Sequence, residues 1–314
     1  MNQSLYVSFI IVNYNTEELI VECISSIYKY CNDLQFEIIV VDNASLDNSV
    51  DKIKNSFSDV KIIESKTNLG FARANNKAAK IANGKYLILL NPDTSLTKNA
   101  IQRMVNFLEK NDNIGIIGPK LVDANGTTQI SSFGFFPSIT ECLIRAFRIY
   151  KFFPNLSISK KFLIKPDGNK EITEVSHLLG ACFVIKKDFF SELKGFDERF
   201  FLFLEETDLC KRVLQKQKKI VYYTKSEIIH YGEQSMQNML DRSGGLYIRS
   251  YNKYIKKHGA NIITIALINI FLVLGVLCDA VVSLIKYKSF KRFLQTLKAF
   301  WYGYIKSPIP KGVG

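Results

Sequence analysis

The 314-residue chain lacks both glycine-rich loops by which α/β proteins commonly cradle nucleotide phosphates. No GxGxxG follows its first apolar run and no GxxxxGK[ST] is present, which excludes a dehydrogenase-type dinucleotide unit and a P-loop NTPase. Cysteine pairs are missing too. Cys23, Cys31, Cys142, Cys182, Cys210 and Cys278 form no CxxC, and most fall inside apolar or helical patterns, as buried reduced thiols do. The stretch MNQSLYVSFIIVNYN has no basic flank, and its apolar run is too short for a signal peptide or a membrane span, so the chain is expected to begin in the cytoplasm. The sequence shows no internal repeat and no low-complexity linker. Acidic residues are scarce in one place only: residues 242–314 hold 12 Lys/Arg against the single acid Asp279, so this tail carries +11 of the formal +13. The preceding 241 residues are nearly neutral, with 30 basic and 28 acidic side chains. A nucleic-acid reader would stripe its positive charge over a recognisable module, none is visible, and no nucleic-acid partner is expected.

What the sequence does contain is an alternation of two periods. Val7–Val12 (VSFIIV) is a continuous apolar, β-rich run, and Thr16–Tyr30 follows with Leu19, Ile20, Cys23, Ile24 and Ile27 on one helical face. A second strand is predicted at Phe36–Val41, a helix from about Ser45, a third strand at Val60–Glu64, and a helix at Phe71–Ala82 closed by Asn83-Gly84 as a C-cap pair. Tyr86–Leu90 (YLILL) is the fourth strand. Near-continuous apolar strands separated by helices predict a mostly parallel central sheet covered on both faces, a Rossmann-like three-layer α/β arrangement. After a helix over 98–110, Ile114–Val122 and the turn Asp123–Gly126 read as a hairpin into Thr127–Ser132, where parallel order gives way to mixed order. Residues 133–174 are aromatic and basic with poor periodicity and read as a mobile insertion. A strand at His177–Ile185, the apolar stretch Phe200–Leu204, a helix from about Glu206 to Gln215 and a strand at Ile220–Tyr223 complete the pattern.

In open parallel sheets, ligands sit outside the carboxyl ends of the strands, where loops converge and helix N-termini point. Polar clusters fall at those places: Asn13-Tyr14-Asn15 after the first strand, Asp42-Asn43 after the second, and Asn91-Pro92-Asp93 after the fourth. One such cluster is an ordinary turn or helix cap; three in one sheet point to a site. With no glycine loop to neutralise a diphosphate, a carboxylate after a core strand is suited to hold a hard cation that bridges the phosphates, and Asp93 is placed for it. The acids Glu205, Glu206 and Asp208 open a helix directly after an apolar stretch, which would set a carboxylate at the edge of a desolvated pocket.

The segments VSFIIVNYN, IIVVDNAS, NLGFARANN, YLILLNPDT, GACFVIKK, GFDERFFLFLEETDLCKR and IIHYGEQS, in this order, resemble glycosyltransferase family 2, its GT-A nucleotide-diphospho-sugar transferase fold, and within it the rhamnosyltransferase-like branch. The resemblance covers about residues 5–235. It implies that Asp42 reads the pyrimidine ring with Tyr14 near the base, and that Asn13, Asn15, Asn43, Asn68, Arg73, Gly180 and Ala181 belong to the nucleotide-sugar pocket. Asn91-Pro92-Asp93 stands where the family carries Asp-x-Asp, so a Mn²⁺ or Mg²⁺ ion would depend chiefly on Asp93, with Asn91 and His230 assisting. Glu206 takes the place of the base, Glu205 orients it, and Asp208 caps or orients the helix. Inverting transfer needs one base and no covalent nucleophile.

The expected organisation is a catalytic domain over 1–241, with a nucleotide-binding half over 1–120 and an acceptor-binding half over 121–241, the 133–174 insertion facing the acceptor. A basic, apolar helical tail over 242–314 follows. Ile262–Ile285 is long enough to span a membrane, yet Asp279, its polar residues and basic segments on both sides favour a monotopic anchor or a hairpin dipping into an anionic cytoplasmic leaflet over a full span or a soluble oligomerisation helix. The expected reaction is inverting transfer of a sugar, L-rhamnose from dTDP-rhamnose, to a lipid-linked or polysaccharide acceptor in cell-surface glycan synthesis. The rivals are another donor such as a UDP-hexose, and a non-catalytic, nucleotide-sugar-binding membrane scaffold.

Overall fold

The computed structural model describes residues 6–129, 133–134, 136–153, 155–156, 170–232 and 240–287, with 290, 294, 297 and 298 beyond them. Strand β1 (Tyr6–Asn13) buries all but its first residue, as a central strand covered on both faces must. Helix α1 (Glu17–Tyr30) turns Ile20, Cys23, Ile24 and Ile27 inward and places Glu17 and Glu18 in its first turn and Lys29 in its last, matching the helix dipole. Strand β2 (Gln35–Asp42) leads to α2 (Ser49–Ser56), which starts four residues later than the periodicity suggests. The cause is local. The Asp42 carboxylate takes the Ser45 amide at 3.0 Å and Asp47 takes the Ser49 amide at 3.1 Å, so side chains claim amides that a helix would need.

Strand β3 (Lys61–Glu64), α3 (Phe71–Ile81), the fully buried β4 (Tyr86–Leu90), β5 (Thr94–Leu96), α4 (Ala100–Glu109) and β6 (Ile114–Val122) follow. Asn83-Gly84 is not the C-cap pair expected of it, because Ala82 ends α3 in an extended conformation. Gly84 is needed for proximity: a Cβ there would lie 2.5 Å from the Ser8 nitrogen, and its own amide bonds the Ser8 hydroxyl at 2.8 Å. The expected strand Thr127–Ser132 is reduced to a bridge, Val122 with Thr128, and Ile130–Ser132 lie outside the described residues.

Next come β7 (Phe133–Gly134), α5 (Ile139–Ala146), α6 (Ile149–Phe152), β8 (Ile172–Glu174), β9 (His177–Leu178), β10 (Cys182–Lys186), α7 (Lys187–Glu192), α8 (Glu205–Gln215), β11 (Lys219–His230), α9 (Leu240–Lys257) and α10 (Ile262–Tyr287). The single strand expected over His177–Ile185 is therefore two, and Leu179–Ala181 form the bend between them. The insertion carries two short helices, while 157–169 lie outside the described residues. Strand β11 runs far past Tyr223, because a register shift between Tyr223 and Glu227 lets pairing resume, so His230 ends a strand instead of following one.

The sheet order is β3-β2-β1-β4-β10-β6-β11-β5, with β8 on β11. Strands β3, β2, β1 and β4 are mutually parallel; β10 then enters antiparallel to both β4 and β6, and β6 runs parallel to β11. Six of the nine strands thus share one direction, a mostly parallel mixed sheet with helices packed on it, as the sequence pattern predicts.

The chain forms two compact units that interleave in sequence: Met1–Gly134, Pro166–Glu198 and Glu205–Ser235 make one, and Phe135–Lys165, Arg199–Leu204 and Met236–Gly314 the other. The first holds the sheet and a core built on Phe9, Ile11, Ile24, Ile88, Met104 and Val184. The second holds a smaller core of Cys142, Phe200, Leu204, Tyr251, Tyr254, Ile255 and Ile268.

Adding one methyl group tests the close approach at Gly84. Gly84→Ala is expected to lower stability by roughly 1–3 kcal/mol, since the new Cβ meets backbone that cannot move aside. Urea unfolding should show an earlier midpoint with an unchanged slope; an unshifted midpoint would mean that the turn relaxes freely.

Candidate active site

The carboxyl ends of β1 and β2 are joined side by side, Asn13 opposite Asp42 in the parallel register. The Asn13 carboxamide donates to Asp42 Oδ1 at 2.9 Å and to the Ser45 hydroxyl at 3.1 Å, while Thr16 donates to Asn13 Oδ1 at 2.5 Å. Ser45 adds its hydroxyl to Asp42 Oδ1 at 2.5 Å and its amide to Oδ2 at 3.0 Å. Three donors therefore orient a carboxylate that is 4% exposed, and that is how a buried acid is held in one rotamer for recognition. Asn15 adopts a left-handed φ of 53° and accepts the Leu46 amide at 2.7 Å; Tyr14 is half-buried beside it in the chain.

Asn43 links this end to the entry of α3, donating to the Gly70 carbonyl and accepting the Leu69 amide, both at 3.3 Å. Asn68 accepts the Gly70 amide at 2.9 Å, a turn that starts the helix. Arg73, on α3, lies 3.3 Å from Glu198, which Asn76 also approaches at 3.1 Å. The first two clusters expected from sequence, Asn13–Asn15 and Asp42-Asn43, are thus brought to one end of the sheet, and Arg73 is engaged by Glu198, an acid that sequence reading did not single out.

At the end of β4 the Asn91 amide donates to the Ala181 carbonyl at 2.8 Å, which fastens Asn91-Pro92-Asp93 to the bend before β10. The Asn91 carbonyl accepts the Thr94 hydroxyl at 2.7 Å, with the Cys23 thiol below it at 3.6 Å. Burial pushes that thiol up to about 12, so it is an inert packing group. Asp93 is 1% exposed and its Oδ1 lies 3.5 Å from His230 Nε2. Their meeting is built into the backbone: His230 pairs with Thr94 across β11 and β5, and the Tyr231 amide bonds the Asp93 carbonyl at 2.9 Å. His230 Nδ1 lies 2.9 Å from Gln129 Oε1, and Gln129 Nε2 donates to the His230 carbonyl at 2.7 Å.

Asp93 and His230 give one carboxylate oxygen and one imidazole nitrogen facing the same gap, a donor set suited to Mn²⁺ more than Mg²⁺. Among the described residues no group of three or more His, Cys, Asp and Glu converges.

The acidic pair opens α8. Phe203 and Leu204, directly before it, both take left-handed φ values, 70° and 66°, uncommon for side chains of this bulk. Glu205 is 4% exposed, and its Oε2 accepts no hydrogen bond from a described residue. Burial first, and the neighbouring Glu206 charge second, hold its pKa well above the ordinary carboxylate value. Glu206 is half-buried and packs on Gly180, where a Cβ would stand 3.6 Å from Glu206 Cγ. Asp208 is fully buried and bound by Arg212 Nε at 2.8 Å; Arg212 also donates to the Leu193 carbonyl at 2.6 Å. Asp208 thus anchors α8 to the bend after α7.

Taken together, a mostly parallel α/β sheet with polar groups gathered at its strand ends, a buried Asp–His pair and a carboxyl pair beside a glycine bend defines a sugar-nucleotide transferase of the GT-A type. Residues 8–193 match the glycosyl transferase family 2 profile, and the chain belongs to that family, a transferase enzyme. It is 26% identical over 252 residues to the low-salt glycan biosynthesis hexosyltransferase Agl10 of Haloferax volcanii, covering 79% of this chain and 74% of that one. It is 23% identical over 208 residues to the N-acetylglucosaminyl-diphospho-decaprenol L-rhamnosyltransferase of Mycobacterium tuberculosis, covering 62% and 66%. The fold is shared with the mannosyltransferase PcManGT from Pyrobaculum calidifontis, solved with GDP-Man and Mn²⁺, at a TM-score of 0.57 and 14% identity over 96% of this chain and 88% of that one.

The raised Glu205 pKa carries a stability signature. At low pH both the folded and the unfolded chain hold the proton and the residue is neutral in effect. As pH climbs through the ordinary value of 4.5, the unfolded chain ionises while the folded one does not, so stability falls until the raised folded value is passed. Glu205→Gln should therefore melt higher than wild type at about pH 8 and alike at about pH 4. Each kcal/mol recovered corresponds to about 2–4 °C in a chain of this size class. Parallel melting curves at both pH values would assign the group an ordinary pKa.

Proposed function

We propose that this chain is an inverting, metal-dependent glycosyltransferase that moves L-rhamnose from dTDP-rhamnose onto a lipid-linked or polysaccharide acceptor in cell-surface glycan assembly. The observation that carries the reading is a short line of contacts: Glu206 against Gly180, Ala181 bonded to Asn91, and Asp93 two residues on beside His230. It joins a carboxyl group, a bend that admits close approach and a candidate cation site along one strand seam. Asp42, oriented by Asn13 and Ser45, accepts from the donor's pyrimidine ring, with Tyr14 beside the base and Asn15, Asn43, Asn68 and Arg73 around the diphosphate-sugar. Asp93 and His230, with Asn91 assisting, hold a divalent cation, which when bound offsets the charge gathered on the leaving diphosphate.

Glu206 is the base. Its partial exposure lets an acceptor hydroxyl reach it, and the raised pKa of Glu205 behind it, caused by burial and the Glu206 charge, favours a single negative charge on the pair. Glu206 takes the hydroxyl proton as the oxygen attacks the anomeric carbon opposite the diphosphate. Residues 1–120 serve the nucleotide and 121–241 the acceptor. The likeness to a rhamnosyltransferase named for a diphospho-decaprenol substrate supports the donor and a lipid-linked acceptor, while the likeness to a hexosyltransferase keeps a UDP-hexose donor as the second reading.

The tail, 242–314, places the enzyme on the cytoplasmic leaflet. Ile262–Val282 is long and apolar enough to cross a membrane, but one face of α10 is already occupied. Ile268 is buried, its carbonyl 3.6 Å from the Cys142 thiol of α5, and Asn269 exchanges paired carboxamide bonds with Asn252 of α9 at 2.8 Å. A spanning helix would draw the Glu141–Tyr251 hydrogen bond and the lysines of α9 into hydrocarbon with it. Ile263, Leu267, Ile270, Leu274, Leu277 and Val281 form the exposed stripe, spaced four and three residues apart, and α10 lies in the plane of the leaflet with this stripe inward.

Two measurements test these assignments. Glu206→Gln keeps shape and cannot take a proton, so transfer should drop by roughly 10² to 10⁴ with donor affinity unchanged, whereas Glu205→Gln costs less. Full activity in Glu206→Gln beside a dead Glu205→Gln moves the base by one residue, and a shift panel favouring a UDP-sugar over dTDP-rhamnose replaces the donor. For the stripe, Leu267→Ser with Leu274→Ser should cut flotation with anionic vesicles about tenfold or more per residue, from about 1.5–3 kcal/mol per buried leucine. Unaltered flotation, or wild-type protein resisting alkaline carbonate as a spanning protein does, would remove the in-plane arrangement.

A further inference from the structure

Gln129 sits 101 residues from His230 in sequence, on the short segment after the Asp123–Gly126 turn, and it grips His230 twice. Its backbone is held as well, the amide donating to the Leu121 carbonyl at 2.9 Å. The two side-chain contacts fix each other's sense. The His230 carbonyl can only accept, so the atom of Gln129 that faces it at 2.7 Å is the amide nitrogen, and the atom left to face His230 Nδ1 at 2.9 Å is the carboxamide oxygen. That oxygen can only accept. A hydrogen must therefore reside on Nδ1, and in a neutral ring Nε2 then carries a lone pair.

Nε2 is the atom that stands 3.5 Å from Asp93 Oδ1, and in the neutral ring both are acceptors. In that neutral form the two acceptors face one another at a site where His230 is only 8% exposed, an arrangement that a cation between them would stabilise. We infer that Gln129 is the positioning residue of the cation site: its carboxamide holds His230 in the Nδ1–H tautomer and so presents Nε2, with Asp93 Oδ1, to a divalent ion. This rests on the metal reading given above and adds to it a residue outside the ligand set. Hydrogen-bond partners of this kind fix the ring and raise ligand basicity, and their loss typically weakens metal binding about 10- to 100-fold.

The chain has three histidines, so nitrogen spectra of ¹⁵N-histidine-labelled, metal-free full-length protein are simple to assign, the His230 signals being those lost in His230→Ala. In wild type His230 should show a pyrrole-type Nδ1 and a pyridine-type Nε2. In Gln129→Met, which keeps length and removes both contacts, the ring should shift toward the Nε2–H form, and Mn²⁺ affinity measured from the free-ion resonance should fall about 10- to 100-fold. Gln129→Glu retains an acceptor for Nδ1 and should recover part of the Mn²⁺ affinity. A wild-type Nε2–H tautomer, or wild-type tautomer and affinity in Gln129→Met, overturns the role given to Gln129. Mn²⁺ affinity untouched in both Asp93→Ala and His230→Ala overturns the metal reading itself, a different result from the first.

Discussion

Where β10 enters the sheet antiparallel to β4, the Ala181 carbonyl accepts the Asn91 amide at 2.8 Å, and that backbone hydrogen bond ties two loops that sequence separates by 90 residues. One loop carries Asp93 and the other carries Gly180, on which Glu206 packs. A backbone bond of this kind survives side-chain motion, so the spacing between the candidate cation ligand and the candidate base is set by the sheet and not by the loops. The same logic operates at the second edge. Pairing of His230 with Thr94 makes the approach of His230 to Asp93 a property of strand register, and the bulge after Tyr223 brings β11 back into register in time to deliver it.

Charge is managed by contrast between neighbours. Asp42 is surrounded by three donors, whereas Glu205 is buried with an oxygen that no described residue serves, and burial holds its pKa well above the ordinary carboxylate value. Asp208 is neutralised by Arg212 on the next turn of its own helix. Three acids within four residues therefore have three environments: desolvated, half-exposed and ion-paired. That division sets the half-exposed Glu206 apart from the two buried acids beside it.

Much of this was legible in the chain. Continuous apolar runs at Val7–Val12 and Tyr86–Leu90 identify central strands, and the polar residues after them sit at the strand ends as open-sheet geometry requires. What escaped reading was long-range or competitive. Gln129 has no local signal, because its meaning lies in a contact with a strand 101 residues away. Gly84 looks like a helix cap and serves instead as a gap for Ser8, a distinction only tertiary packing makes. Strand β11 looked short because a bulge interrupts its alternation. Ser45 was within reach: an acid three residues before a serine, after a strand, is a common side-chain-to-backbone turn.

The interleaving of the two compact units has a topological consequence. The polypeptide passes between them five times, near 134, 165, 198, 204 and 235, so neither unit is a bead that one cleavage could detach. Helix α10 contributes Ile268 to a core that also draws Cys142, Phe200 and Leu204 from the middle of the chain. Helix α10 is thus stitched into a core whose threads run through the middle of the chain, and removing it would unpick residues far upstream of the cut.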